Sequence, residues 1–396
     1  MSLILNDVAK FMTSKIEVSE INESNYVSTE NMLSNKCGIT IASSLPDTKS
    51  VRKYLPQDIL INNIRPYFKK IWYSDMIGGC SNDVFVIRSK ENYDSKFLYY
   101  VLSSDDFFSY VMANAKGTKM PRGDKKAIQN YEVPNFSIDE QKRISFVLSE
   151  IDKKIEVNKM INKNLDDILD SIFKENFIKE FDNDNNDWKI KNIGELPLII
   201  TDYVANGSFA SLKENVTILD YEEYAYFIRN TDLKSKSFQK FVNKHSYDFL
   251  KKSSLFGNEV IISNVGDVGS VFLCPFLDKP MTLGNNMILV KSRDDAINLN
   301  FYLFLLFRSN YGQYLISTIT AGSVQSKFNK TEFKSLELTM PNDELIIKFN
   351  NLVSPIFDYK NKISDEIVRL TKLRDTLLPK LMSGEIDVSE VNCDLE

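Results

Sequence analysis

The chain contains 396 residues with a formal net charge of −5, and 43% of its residues are hydrophobic. This length is too great for one ordinary core and predicts two or three domains, while the hydrophobic content excludes global disorder. No apolar run approaches the ~20 residues that span a bilayer, and residues 1–20 lack the features of a secretion signal. The four cysteines form no close pair, so the sequence predicts a cytoplasmic protein without a disulfide framework or a zinc site.

The first part of the chain has the pattern of a mixed α and β domain. Short β-branched runs at residues 59–61 and 84–87 are bounded by Asn, Gly and Pro, as strands are. A helix dense in apolar residues is predicted at residues 96–112, and a short strand at residues 131–133 precedes Pro134. The pattern therefore predicts a globular part that ends near this proline.

Beyond this proline the spacing of the apolar residues becomes that of a long helix. Ser137 is a suitable N-cap, and seam positions then recur at spacings of four and three, which is typical of a coiled coil. The predicted seam consists of Ile144, Leu148, Ile151, Ile155, Asn158, Asn162, Leu165, Leu169 and Ile172. A buried Asn at position 158 or 162 would fix the register of the helix pair. The equal alternative is that these two asparagines face solvent or a second protein.

The second part of the chain repeats the first in the same order. The matched segments are 26–28 with 227–229, 58–63 with 259–264, 81–88 with 284–291, 97–102 with 301–306, and 117–118 with 322–323. Chance matches would not stay collinear, so the sequence predicts an internal duplication. The elements predicted for the second part are strands at 260–262 and 287–290, a helix at 300–319 and a short strand at 336–338.

A second long helix is predicted after Pro341, with Asn342 as its N-cap and Gly384 as its C-terminal stop. Its predicted seam consists of Phe349, Val353, Ile356, Lys360, Ile363, Ile367, Leu370, Arg374, Leu377 and Leu381. Pro355 lies inside this pattern, and we expect it to kink the helix or to divide it into two segments. Some 40 residues make a rod of roughly 60 Å, and two such helices in one chain can pair antiparallel.

The sequence therefore predicts an α+β chain in which two similar mixed α and β domains are separated by two long helices that form an antiparallel coiled coil. The predicted boundaries are 1–137 for the first domain, 138–180 for the first long helix, 181–341 for the second domain, 342–384 for the second long helix and 385–396 for a C-terminal tail.

The motifs of common catalytic sites are missing from the sequence. His245 is the one histidine, and it has neither a Gly-x-Ser-x-Gly motif nor a cysteine-nucleophile motif as companion, so we expect an ordinary surface histidine. There is no phosphate-binding loop motif, and residues 266–269 resemble a tight turn more than a nucleotide cradle. The tetrapeptide expected of an adenine-N6 methyltransferase is also missing. The sequence predicts a chain without catalytic residues, a bound metal or a cofactor of its own.

Polar and basic loops recur at corresponding places in the two parts. Residues 62–70 and 116–126 carry Asn, Arg and Lys in the first part, and residues 264–269 and 322–330 match them in the second. A third strip, at residues 229–236, carries further Arg, Asn and Lys side chains. Such side chains read base edges and bind phosphates, so the recurrence favours two DNA-contacting surfaces although the net charge is acidic. For any single lysine, a solvated surface position is at least as good an interpretation.

The residues selected as candidate DNA contacts are Asn63, Arg65, Lys69, Lys119, Arg122, Lys125, Arg229, Asn264, Gln325, Lys327 and Lys330.

Together with the duplication, three segments make the chain resemble the specificity subunits of type I restriction-modification systems over essentially its whole length. They are residues 134–144 (PNFSIDEQKRI), residues 188–196 with Trp188 and a Gly-Glu-Leu ending, and residues 373–386 (LRDTLLPKLMSGEI). The sequence departs from the family pattern at two places. The first part lacks a counterpart of Trp188, and the second has Asp343-Glu344-Leu345 where the first has Glu140-Gln141. These departures affect how each part would bind partner subunits more than they affect the resemblance.

This resemblance implies that each domain is a target-recognition domain that reads one half of a split DNA site, while the paired helices set the gap between the halves. It also implies two adenine-N6 methyltransferase subunits as partners, with S-adenosylmethionine bound in those subunits, and restriction subunits with translocase and nuclease activity. The competing interpretation is a coiled-coil scaffold that does not bind DNA. That scaffold would explain the helices and the acidic charge, but not the recurrence of the basic loops.

Overall fold

The computed structural model describes residues 3–180, 188–294, 297–322 and 326–392. Gln325, one of the candidate DNA contacts, lies outside the described residues. The chain divides into two compact units. The first unit comprises residues 1–157 and 367–396, and the second unit comprises residues 158–366.

The first unit contains two four-stranded sheets and a small two-stranded one. The antiparallel sheet has the strand order Ala9–Phe11, Val84–Ser89, Ile59–Asn62, Ile71–Tyr73. The mixed sheet has the order Lys15–Glu17, Ser50–Tyr54, Gly78–Cys80, Tyr26–Val27, and its last two strands are parallel. Leu3–Ile4 pairs with Glu132–Val133. The short helices are Leu5–Val8, Val18–Glu20, Pro66–Phe68, Ser95–Leu102, Asp105–Ala113 and Lys125–Gln129.

The second unit has the same antiparallel and two-stranded sheets, but its mixed sheet has five strands and is extended at the opposite edge. Its antiparallel sheet has the order Leu198–Asp202, Met287–Ser292, Val260–Ser263, Val271–Leu273. Its mixed sheet has the order Ile218–Leu219, Phe241–Val242, Ala225–Ile228, Met281–Leu283, Ser254–Leu255. Lys189–Asn192 pairs with Glu337–Met340. The short helices are Ile178–Glu180, Ile193–Glu195, Tyr203–Asn206, Phe209–Asn215, Asn230–Ser235, Lys244–Phe249, Lys251–Ser253, Asn300–Arg308, Asn310–Ile319 and Lys330–Lys334.

The strands that the sequence predicted are confirmed. Four of them are the inner strands of the two antiparallel sheets, and the short strand before each proline lies in a two-stranded sheet. Every residue of Ile59–Asn62 and of Val260–Ser263 is buried. A short run of β-branched residues without polar alternation is typical of such a strand, because both of its faces are covered. The duplication predicted from the sequence is thus present in the order and pairing of the strands.

Each apolar helix predicted after these strands is in fact two helices, so this prediction was wrong in its extent. Ser95–Leu102 ends before Asp105–Ala113, and Asn300–Arg308 ends before Asn310–Ile319. At the second helix of each pair a serine side chain accepts a hydrogen bond from the backbone, from Phe107 N–H in one unit and from Gly312 N–H in the other. The break was not predicted, because buried apolar residues such as Leu102 and Phe107 lie on both sides of it.

Both long helices are present, as Ile138–Asn176 and Asp343–Met382. Ser137 caps the first one by exchanging hydrogen bonds with Glu140, and Asn342 caps the second by accepting from Leu345 N–H. Gly384 has a positive φ of 75° and follows the end of the second helix, as expected of a C-terminal stop. The three predicted end signals are confirmed.

Pro355 does not divide the second long helix, which contradicts one of the two outcomes expected from the sequence. The helix continues through it from Asp343 to Met382. Proline removes one backbone N–H donor, but Val353 and Phe357 on either side are buried in the core of the second unit. This packing holds the helix together across the missing hydrogen bond.

Within each unit the two long helices run antiparallel. In the second unit Asn158 donates to the Glu366 carboxylate at 2.9 Å, and Asn162 donates to Ser364 Oγ at 3.1 Å. In the first unit an ion pair of 3.0 Å joins the same two helices. Asn158 and Asn162 are 0% and 7% exposed, so the buried alternative for these residues is the correct one.

The long helices complete the core of each unit. Ile144 and Leu148 pack with Leu378 and Leu381 in the first unit. In the second unit the aromatic rings of Phe173, Phe177 and Phe349 pack around Tyr302. Each globular part is therefore fixed on the helices that the heptad spacing predicted.

Candidate nucleic-acid interface

Two loops of the first unit are joined by backbone hydrogen bonds at the end of the strand Ile59–Asn62. Asn63 N–H donates to the Asp83 carbonyl at 2.8 Å, and the Asn63 carbonyl accepts from Gly123 N–H at 3.1 Å. Arg65 N–H donates to the Pro121 carbonyl at 2.8 Å. These bonds fix residues 63–65 against residues 121–123, so the two basic loops predicted from the sequence form one surface.

The second unit has the same set of hydrogen bonds. Asn264 N–H donates to the Asn286 carbonyl at 3.1 Å, and the Asn264 carbonyl accepts from Phe328 N–H at 3.1 Å. Gly266 N–H donates to the Ser326 carbonyl at 3.0 Å. The two units therefore have the same loop backbone with different side chains on it.

The loops also close on themselves in the same way in both units. Lys116 and Arg122 exchange two backbone hydrogen bonds, as Ala321 and Lys327 do. The glycine next to the first residue of each pair has a positive φ, 90° at residue 117 and 103° at residue 322. Gly adopts this conformation without steric cost, so its recurrence marks a turn that both units need.

Several candidate cations of the first unit are already paired with carboxylates. Lys69 forms an ion pair of 2.9 Å with Asp105, and Lys36 binds the same carboxylate. Arg122 lies 3.1 Å from Asp83. Burial raises the pKa of the Asp105 carboxyl, but the hydrogen bonds from the two lysines outweigh it, so this pKa lies below its ordinary value. These cations hold the loops in place before any ligand is bound.

Three other candidate cations of the first unit have no carboxylate partner among the described residues. Arg65 and Lys119 are exposed. Lys125 lies 5.0 Å from the centre of the Phe11 ring, which is a cation–π contact. Exposed cations without a carboxylate partner are the ones available to phosphates or base edges.

In the second unit most candidate cations are paired. Arg229 binds Asp232 through two nitrogens, and Lys330 lies 3.0 Å from Asp202. Lys327 is exposed and has no carboxylate partner among the described residues. Of the candidates that the structure describes here, Lys327 is therefore the cation best placed to contact a ligand.

Asp267 lies in the glycine turn of the second unit, and it binds Lys234 of the third strip. The two groups are 2.6 Å apart, and Ser270 and Asn230 also donate to the carboxylate. Burial raises the pKa of Asp267, but these hydrogen bonds outweigh it and lower the pKa to about 2. The turn and the strip are therefore held together by a carboxylate that stays ionised.

A groove of about 780 Å³ lies beside the loops of the first unit. It is lined by Arg65, Phe68 and Met120 together with residues 28–31 and 40–46. Lys70 donates to the Thr29 carbonyl at 2.6 Å, which joins the loop of residues 63–70 to residues 28–31. Residues 28–31 and 40–46 could not be assigned to this surface from the sequence, because only the segment 26–28 recurs in the second part.

Neither a metal site nor a membrane-spanning helix is found in the described part of the chain. No cluster of His, Cys, Asp and Glu there has the arrangement of metal ligands, and no helix there is long and apolar enough to cross a bilayer. His245 is exposed on the short helix Lys244–Phe249, so its predicted surface position is confirmed.

Residues 5–167 and 185–368 each match the family described as the type I restriction modification DNA specificity domain. The chain belongs to this family. The two matches include the two sets of loops and most of both long helices. The duplication in the structure is therefore a duplication of one specificity domain.

Curated relatives of this specificity chain are themselves specificity subunits. The MjaIX specificity subunit of Methanocaldococcus jannaschii is 25% identical over 329 residues, which cover 77% of this chain and 72% of the relative. The HindI specificity subunit of Haemophilus influenzae is 21% identical, with 96% of this chain and 98% of the relative covered. The crystal structure of a type I S subunit from M. genitalium matches with a TM-score of 0.55 at 16% identity, and it covers 96% of both chains. That likeness shows the same fold.

Proposed function

We propose that this chain is the DNA-recognition subunit of a type I restriction-modification complex. Each unit reads one half of a split site through the joined loops at the end of its antiparallel sheet. In the first unit these are residues 63–70 and 116–126, and in the second they are residues 264–269 and 322–330. In this proposal the two recognition domains are residues 1–137 and 181–341, the boundaries predicted from the sequence.

The single observation that carries this proposal is the repeated set of backbone hydrogen bonds around Asn63 and Asn264. A scaffold has no need for two copies of one loop geometry with different polar side chains. Two reading surfaces need both features: a common backbone presents the side chains, and different side chains recognise different bases.

In this proposal the paired long helices set the gap between the two half-sites and bind two methyltransferase subunits. An antiparallel pair presents similar surfaces at its two ends, which suits two copies of one partner. The buried amides of Asn158 and Asn162 favour a single register of the helices, and a fixed register gives a fixed gap.

We further propose that the chemistry resides in the partners. The methyltransferase subunits bind S-adenosylmethionine and methylate adenine N6, and the restriction subunits translocate and cut DNA. The role of this chain is to position those subunits on the DNA.

The proposal can be tested by titrating the chain, in complex with its methyltransferase subunits, against duplex DNA at several salt concentrations. We expect the binding constant to fall steeply with salt, because phosphate contacts release counterions. We also expect duplexes with the methylated motif to bind more tightly than random duplexes. A scaffold that does not recognise DNA would show neither the salt dependence nor the preference.

A further inference from the structure

The two units differ in the turn that follows the strands Ile59–Asn62 and Val260–Ser263. The turn is bounded by equivalent hydrogen bonds, from Asn62 N–H to the Lys70 carbonyl at 3.1 Å and from Ser263 N–H to the Ser270 carbonyl at 2.9 Å. Both turns contain two residues with positive φ. These residues are Arg65 (50°) and Lys69 (49°) in the first unit, and Gly266 (77°) and Gly269 (88°) in the second.

A side chain at these positions is energetically unfavourable. The left-handed conformation brings Cβ close to the following carbonyl, and only glycine adopts it freely. The second unit builds its turn with glycine at both positions, so the turn itself does not require a cation. Strained backbone conformations of non-glycine residues cluster at functional sites. The backbone of the turn therefore does not explain why the first unit has a cation at each of these positions.

The two cations differ in what their side chains contact. Lys69 is paired with Asp105 at 2.9 Å, which gives it a role within the protein. The Arg65 guanidinium has neither an ion-pair nor a hydrogen-bond partner among the described residues, and it is exposed at the edge of the groove. Its backbone is nevertheless fixed, because Arg65 N–H donates to the Pro121 carbonyl.

The groove beside Arg65 is lined by two carboxylates as well as by apolar side chains. Tyr67, Phe68 and Met120 are 47%, 38% and 46% exposed, and the two rings lie 4.6 Å apart. Carboxylates near a cation repel a phosphate, whereas a base edge carries no net charge and its methyl groups can contact apolar side chains. The planar guanidinium matches the N7 and O6 acceptors of guanine in the major groove, which is the commonest specific arginine contact.

We propose that Arg65 reads a guanine in the half-site of the first unit, and that the second unit has no equivalent contact because Gly266 stands at that position. This inference rests on the proposed function. It assigns one base to one residue, and it predicts that the affinity for the first half-site depends on the N7 atom of one guanine.

The variant Arg65→Gly removes the guanidinium and leaves a residue that adopts the observed φ freely, as Gly266 does in the second unit. We therefore expect it to fold at least as well as the original chain. Gln57→Gly is the matched control, because Gln57 also has a positive φ (70°) and precedes the other end of the strand Ile59–Asn62. The control relieves the same kind of strain outside the loops.

The experiment measures Kd for the complex with its methyltransferase subunits on duplexes in which each guanine of the first half-site is replaced in turn by 7-deazaguanine. This base lacks the N7 acceptor. We expect the original chain and the Gln57→Gly control to lose about 10-fold in affinity at one guanine, the loss of one good hydrogen bond to a charged donor. The Arg65→Gly variant is expected to be weaker on the unmodified duplex and to lose nothing further at that guanine.

Three results would overturn the assignment to Arg65 while leaving the proposed function intact. The first is a first half-site that contains no guanine. The second is an Arg65→Gly variant that is as sensitive to every 7-deazaguanine as the original chain. The third is an Arg65→Gly variant that loses the same affinity on specific and on random DNA. The last result would make Arg65 a phosphate contact. If the original complex itself binds specific and random duplexes equally, the proposed function fails and this inference fails with it.

Discussion

Asn63 and Asn264 occupy equivalent positions in the two units, and each has a side-chain Oδ1 that is buried without a hydrogen-bond partner among the described residues. The backbone of each residue joins the two loops of its unit. Asn264 also donates through Nδ2 to the Phe328 carbonyl at 2.9 Å. These residues were selected from the sequence as DNA contacts, but the structure favours a positioning role for them.

Replacing Asn264 by Asp tests this positioning role. The carboxylate would lie where the amide donates to the Phe328 carbonyl, so two acceptors would meet in a buried place. We expect the free energy of unfolding, measured with urea, to fall by about 2 kcal/mol, the usual cost of an unsatisfied buried polar group. Lys327→Gln, an exposed change in the same pair of loops, is the control and is expected to leave stability unchanged. If Asn264→Asp is as stable as Lys327→Gln, Asn264 does not position the loops.

The paired helices contain a polar position whose replacement we expect to be stabilising. Asn162 is 7% exposed, and its Oδ1 has no partner among the described residues. Asn162→Leu removes this unsatisfied acceptor, and the half-buried Ser364 can turn to water. We expect the free energy of unfolding to rise by about 1 kcal/mol, whereas Asn162→Ala, which leaves a cavity, is expected to lower it. Thermal unfolding of both variants is the measurement. If the Asn162 amide is instead stabilising, Asn162→Leu would also unfold at a lower temperature than the original chain.

Asp267 predicts a specific dependence of stability on pH. Its folded pKa of about 2 is below the unfolded value of about 3.9, so its ionised form stabilises the fold. This contribution is complete above about pH 4 and is lost as the pH falls toward 2. The difference in urea midpoint between the original chain and Asp267→Asn is therefore expected to shrink between pH 4 and pH 2.5.

The control for this pH dependence is Asp248→Asn, which changes an exposed carboxylate of the same unit. Its difference from the original chain is expected to be small and nearly constant over the same pH range. A constant difference for Asp267→Asn as well would show that its ion pair with Lys234 does not form in solution.

The cations of the loop 116–126 are expected to bind phosphates. Replacing Lys119, Arg122 and Lys125 together by Gln is expected to lower the slope of log K against log salt by about 2, since each phosphate contact contributes roughly 0.9 and Arg122 is partly held by Asp83. The sequence preference is expected to remain. The same change at three exposed lysines outside the loops, Lys213, Lys362 and Lys372, is the control. An unchanged slope for the loop variant would place the phosphate contacts elsewhere.

Features set by neighbouring residues could be predicted from the sequence. The inner strands, the long helices and their caps at Ser137 and Asn342 follow from local spacing and from side chains that bond within one turn. The breaks before Asp105 and Asn310 were missed, although Ser104 with the acidic residues after it is a helix-start signal, because apolar residues resume soon after each break.

The candidate site was predicted at the level of loops and not of single contacts. Lys69 and Arg122 look like free cations in the sequence, since their partners Asp105 and Asp83 are more than thirty residues away along the chain. The left-handed backbone of Arg65 was also hidden. Comparison with Gly266 could have indicated it, because a glycine at the matched position marks a conformation that side chains rarely adopt.

The most direct test of the account is to sequence N6-methyladenine in DNA methylated by the complex, first with this chain and then with residues 181–341 replaced by those of a relative with a different specificity. We expect a split motif with a fixed gap from the original chain, and a change in only one half of the motif from the exchange. A continuous palindromic motif, or an exchange that alters both halves, would contradict the claim that the two units read DNA separately.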